Sequence, residues 1–94
     1  MVTEYKDICA ICGRPKEETH HLVFGRGKRN LADEDGLTIP LCSKCHRLIH
    51  QEGVAGALSK IVGQLWYELN LVNKGIPPAM ARQMFRERYG ISYL

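Results

Sequence analysis

Between residues 54 and 72 the apolar positions Val54, Leu58, Ile61, Val62, Leu65, Leu69 and Val72 recur mainly at three- and four-residue spacing. That period places them on one stripe of an α-helix. Leu71 widens the stripe, and Gly75 with Pro77-Pro78 ends it. A last helix is expected over about residues 79–89, with Ala81, Met84 and Phe85 on one face and Gly90 as its C-terminal cap. The first half of the chain has a different texture, with short apolar runs separated by polar turns. Residues 21–24 and 37–41 are β-prone, and Pro40 puts the second run at a sheet edge or strand end. Ser43 is a candidate N-cap for a helix reaching about Glu52. Residues 25–30 read as a flexible basic loop that continues into the acidic run Asp33-Glu34-Asp35. Two short strands followed by helices predict a small α+β domain. Trp66, Tyr67, Met84 and Phe85 fit core or interface packing at helical spacing better than a base-stacking platform. The broad stripe of the long helix is wide enough to close over the first half or to support a homodimer.

A chain of 94 residues makes one small domain. Such a chain buries only about 60–65% of its unfolded surface, so a covalent or metal staple is useful. Four cysteines are present, as Cys9-x-x-Cys12 and Cys42-x-x-Cys45. Two such pairs could close a tetrahedral zinc site, or form disulfides in any of three pairings. The opening MVTEYKDICAICG has no apolar run, and no stretch approaches the length of a membrane helix. A cytosolic location without membrane association is therefore expected, where paired cysteines favour a metal. Gly13 closes the first knuckle and is free to take positive φ.

The net charge of +3 is too mild to imply a nucleic-acid partner by itself. Its distribution says more. Arg26, Lys28 and Arg29 cluster after the first histidines, Lys44 and Arg47 lie near a helix N-terminus, and Arg82 and Arg86 share a face of the last helix. All are candidate phosphate contacts.

His20-His21 lies between the cysteine pairs, and His46 and His50 lie just beyond them. Closing the cysteine site would fold the intervening chain back and bring these histidines together. His46 and His50, four residues apart, share a helical face. A few imidazoles around a divalent ion leave positions open for phosphate and water, and imidazole can accept a proton near neutral pH. Cys42-Ser43-Lys44-Cys45-His46 also has the form of a c-type haem attachment signature. That reading requires export and leaves Cys9 and Cys12 unexplained.

The combined run Cys9-x-x-Cys12, His20-His21-Leu22-Val23 and Leu41-Cys42-x-x-Cys45-His46-x-x-x-His50 resembles the HNH endonucleases. It is most similar to small phage and prophage members with a four-cysteine zinc site. The resemblance covers roughly residues 9–50. It implies a ββα-metal, or His-Me, finger at 9–52 stapled by structural Zn²⁺ on Cys9, Cys12, Cys42 and Cys45. Residues 53–94 would be a C-terminal helical extension of one domain spanning 1–94. It further implies His21 as general base, and His20 and His46, with His50, as ligands of one catalytic divalent metal (Mg²⁺, Mn²⁺, Ni²⁺ or Zn²⁺). Arg26, Lys28, Arg29, Lys44 and Arg47 would bind DNA, which would be nicked or cut through both strands. Implied partners are DNA and phage DNA-packaging or recombination proteins, in the cytoplasm of a bacterial host. The chain departs from the family at its middle Asn, where it reads Asp35-Gly36-Leu37. A main-chain carbonyl of Gly36 or Leu37 is then expected to orient the base. The competing reading is a non-catalytic zinc module that binds DNA or protein.

Overall fold

The structure, a computed structural model, describes residues 1–94. Its elements run β1 (Glu18–His21), α1 (Lys28–Glu34), β2 (Thr38–Leu41), α2 (Ser43–Gln51), α3 (Gly53–Asn73) and α4 (Pro78–Tyr89). The architecture is α+β, as expected. β1 and β2 form a two-stranded antiparallel sheet in which His20 faces Ile39 and Glu18 faces Leu41. α2 follows β2 directly. No helix is long and apolar enough to cross a membrane.

β1 begins and ends earlier than the β-prone run 21–24 suggests. Leu22 and Val23 leave the strand because they are core anchors, 3% and 0% exposed. The Leu22 amide still reaches the Leu37 carbonyl at 2.9 Å. The basic stretch is not a loop throughout. Gly27 takes φ 77°, and the chain turns there into α1. Ala32, fully buried, and the partly buried Leu31 hold this short helix on the core. The cap of α2 is Cys42 rather than Ser43, its sulfur receiving the Cys45 amide. The Ser43 amide instead donates to Glu17 Oε1 at 3.1 Å.

One apolar cluster joins Leu22, Val23, Ala32 and Leu37 to Phe85 and Tyr89 of α4. Phe85 and Tyr89 stack with ring centroids 4.4 Å apart. A second cluster gathers Leu41 and Ile49 around Cys9, Cys42 and Cys45. Trp66 and Tyr67 pack against the first cluster from α3.

Of the two roles open to the α3 stripe, the first is not taken: its leucines and valines neither close over the first half nor enter the core. Val54, Leu58, Val62, Leu65, Leu69 and Val72 are all exposed. The buried face carries Gly56, Ser59, Gly63, Gln64 and Glu68. The cause is close approach. A Cβ at Gly63 would lie 2.7 Å from Val23 Cγ2 and 3.1 Å from Leu22 Cβ, so only glycine lets the helix sit on that turn. The buried polar groups are satisfied. Gln64 donates to Glu68 and Ser92 and accepts the Tyr93 amide, while Glu68 also receives Arg82.

Candidate metal centres

The two knuckles bring Cys9, Cys12, Cys42 and Cys45 together, their sulfurs all within 4.8 Å of one another. No pair is a disulfide. The first knuckle is a tight turn, with the Gly13 amide on the Cys9 carbonyl at 3.0 Å and Gly13 at φ 77°. It is pinned to the sheet by the Ala10 amide on the Pro40 carbonyl. Burial alone would raise the Cys9 thiol, but backbone donors at Cys12, Cys42 and Ile11 bring it down to about 6. Burial, followed by hydrogen bonds to the other three sulfurs, pushes Cys45 up to about 12. One thiol, held by backbone donors, readily gives up its proton, while the other, buried and bonded to neighbouring sulfurs, holds on. A cation removes that difference. The four cysteines form a closed, mostly buried donor set that could hold a structural metal such as zinc.

His20, His46 and His50 form a second group, again with ligand atoms within 4.8 Å of one another. Hydrogen bonds decide which nitrogens are free. Ser59 donates its hydroxyl proton to the Leu22 carbonyl at 2.8 Å. Its oxygen must then accept from His20 Nε2, also at 2.8 Å. His20 Nε2 therefore carries the ring proton, and Nδ1 is a bare lone pair. That Nδ1 is buried and has no hydrogen-bond partner. His46 is oriented in the same way, its Nδ1 donating to Glu18 Oε1. Its Nε2 lies 3.3 Å from His50 Nε2. Burial, then the neighbouring His46 and His50, depress His20 to about 3, so its ring stays neutral. Burial, then His46, also lowers His50. Neutral, oriented imidazoles are what a divalent cation requires, and a buried unpartnered nitrogen is the atom a metal would satisfy. These residues fit such an ion.

His21, next along β1, lines the same cleft of about 250 Å³, as do Phe24 and Arg29. Its Nε2 donates to Asp33 Oδ1 at 3.0 Å. The expected orienting carbonyl is not used. Leu37 O receives the Leu22 amide, and the α1 carboxylate holds the His21 ring. Arg26 and Arg29, with Gly25, Gly27 and Asn30, line an adjacent hollow of about 430 Å³. Lys28 opens α1, and Lys44 and Arg47 stand exposed on α2. Arg82 is tied to Glu68 at 3.4 Å and acts in packing.

Glu18, Asp33, Ser59 and Phe24 belong to the site but were missed from the sequence. Glu18 had a usable signal, since in a strand it shares a face with His20 two residues on. Ser59 had none, because it comes from an element that the hydrophobic pattern turns the other way.

Among proteins of known sequence, the uncharacterized protein YdfU of Escherichia coli (strain K12) is 40% identical over 48 residues. The matched region is 50% of this chain and 14% of YdfU, so the chain spans about one-seventh of that relative. No solved structure matches. A family profile matches residues 4–76, which include both donor clusters and all of α3, and the chain belongs to that family, described as "Protein of unknown function (DUF968)".

Proposed function

We propose that this chain is a metal-dependent endonuclease of the HNH type, hydrolysing DNA phosphodiester bonds in the cleft between β1 and α2. One observation carries the reading: His20 Nδ1, buried, deprotonated and unpartnered beside His46 and His50. The order of an antiparallel hairpin followed by a histidine-bearing helix supports a ββα-metal assignment of this region.

His20, His46 and His50 would hold one divalent ion, which when bound counters charge on the phosphate and the leaving oxygen. His21 is the general base. With its Nε2–H held by Asp33, its Nδ1 is the nitrogen free to accept a proton. Water attacks phosphorus, gives its proton to that nitrogen, and the bond to the 3′ oxygen breaks. Arg29 lines the cleft and can meet a phosphate there, with Arg26 beside it. Lys28, Lys44 and Arg47 extend the basic surface for flanking phosphates. The cysteine site holds the knuckles, and through them β2 and α2, in place.

The test is nicking of supercoiled plasmid with Mg²⁺, Mn²⁺ or Ni²⁺, against EDTA and a His21→Ala control. Metal-dependent nicking lost in His21→Ala is expected. DNA binding without cleavage under every metal would instead favour a non-catalytic zinc module.

A further inference from the structure

We infer that α3 is a homodimerisation helix, pairing antiparallel with α3 of a second copy. The inference stands apart from the nuclease reading. Leu58, Val62, Leu65, Leu69 and Val72 are spaced four, three, four and three, the a/d repeat of a coiled-coil seam. They are 55%, 46%, 50%, 49% and 37% exposed, on the side of the helix away from the buried Gly56, Ser59 and Gly63. This leaves on the order of 500 Å² of apolar side chain in water, near the upper limit for the largest patch on a monomer. With the polar atoms flanking a 21-residue helix, it approaches the roughly 800 Å² per partner of a stable interface.

The seam is close to a palindrome, which identifies a second copy as its occupant. With two α3 helices antiparallel, Val54 meets Val72, Leu58 meets Leu69 and Val62 meets Leu65, each pairing made twice around a two-fold axis. The antiparallel alignment also sets the two helix dipoles head to tail, which a parallel alignment does not. A membrane surface fits less well, because α3 has one basic residue, Lys60, and its amine sits 4.6 Å over the Phe24 ring.

Sedimentation equilibrium of the zinc-loaded protein at micromolar concentration should give twice the 10.7 kDa chain mass. Leu58→Glu with Leu65→Glu should raise the dimer dissociation constant by roughly a hundredfold or more. Circular dichroism and zinc content should be unchanged, since both residues are already exposed. Under oxidation, Val54→Cys with Val72→Cys should cross-link two chains, while Val54→Cys alone should not. A monomer at these concentrations would overturn the inference. So would a dimer indifferent to the double glutamate variant, or cross-linking by Val54→Cys alone.

Discussion

The cysteine cluster and the histidine cluster meet on α2, where Cys45 and His46 are adjacent, yet they are built on opposite plans. The cysteines supply four donors, three of them buried, from two local turns. A four-donor set closes on its ion and leaves no place for substrate. The histidines supply three donors on the wall of a cleft, and two of them are aimed by partners on other elements, Glu18 and Ser59. A three-donor set leaves positions open, and its aim depends on those partners. The first plan suits holding a fold; the second suits chemistry. The dependence also runs one way. Losing the cysteine site should release α2 and scramble the histidines, whereas losing a histidine should leave the knuckles intact.

Cys42→Ser is the harshest test of that asymmetry. Structural zinc supplies on the order of 10 kcal/mol, comparable with the whole net stability of a small domain. The variant should lose zinc and most of its circular dichroism, and both clusters should fail together. Native mass spectrometry of the parent should show one tightly held zinc that survives mild EDTA. A parent carrying two disulfides and no metal would remove the basis for the comparison.

His21→Ala and His46→Ala should separate base from ligand within the open cluster. The first should cut plasmid cleavage by about two to four orders of magnitude while metal and DNA binding persist. The second should blunt the response to added metal and leave the tightly held zinc in place. Equal cleavage by His21→Ala and the parent would mean that another group takes the proton.

Ser59→Ala probes the aim of His20. It frees Nε2 and lets the ring change tautomer, so affinity at the open site should fall about 10- to 100-fold, read by isothermal titration with Mn²⁺ or Ni²⁺. Zinc on the cysteines should not change. An unaltered isotherm would show that packing alone fixes the ring.

The open cluster should also make the protein acid-sensitive. Unfolded His20 titrates near 6.5, but in the fold burial and its histidine neighbours depress it to about 3. Between those values the unfolded chain binds a proton that the folded chain refuses. Stability therefore falls as pH drops below about 6.5 and levels off near 3. Urea unfolding at stepped pH, without added divalent metal, should show this slope. His20→Asn should remove the His20 share of it and leave the share due to cysteine protonation.

Much of this organisation is legible in the chain because spacing alone carries it. Cys-x-x-Cys pairs, histidines four apart and the glycine and proline breaks each encode a local geometry, and α2, α3 and α4 fall where the pattern places them. Three features are not legible that way. α1 is short, bears few apolar residues and follows two glycines, so its helicity comes from tertiary anchoring of Ala32. The rotation of α3 is fixed by the fit of Gly63 against Leu22 and Val23, and a glycine gives no signal in a hydrophobic stripe. Ser59 and Asp33 reach the site only because those two elements are placed as they are. Periodicity finds an apolar face; it does not say whether that face meets the chain's own core or another protein.

The smallest expected effect concerns the basic segment at the cleft edge. Arg29 lines the histidine cleft, Arg26 lines the neighbouring hollow, and Lys28 starts the helix that carries Asp33. If these residues grip backbone phosphates, replacing all three with Gln should weaken binding to unrelated DNA sequences alike, because phosphate contacts carry little sequence information. The slope of log K against log salt should become shallower by about 0.9 for each duplex phosphate that is no longer neutralised. Zinc content and thermal stability should hardly move, as Arg26 and Arg29 are exposed and Lys28 is only partly covered. Fluorescence anisotropy over a salt series, with a labelled duplex and without divalent metal, isolates this effect from cleavage. An unchanged slope would move the DNA path to Lys44 and Arg47, which stand exposed on α2. Arg82 is a poor next candidate, because its guanidinium is already committed to Glu68.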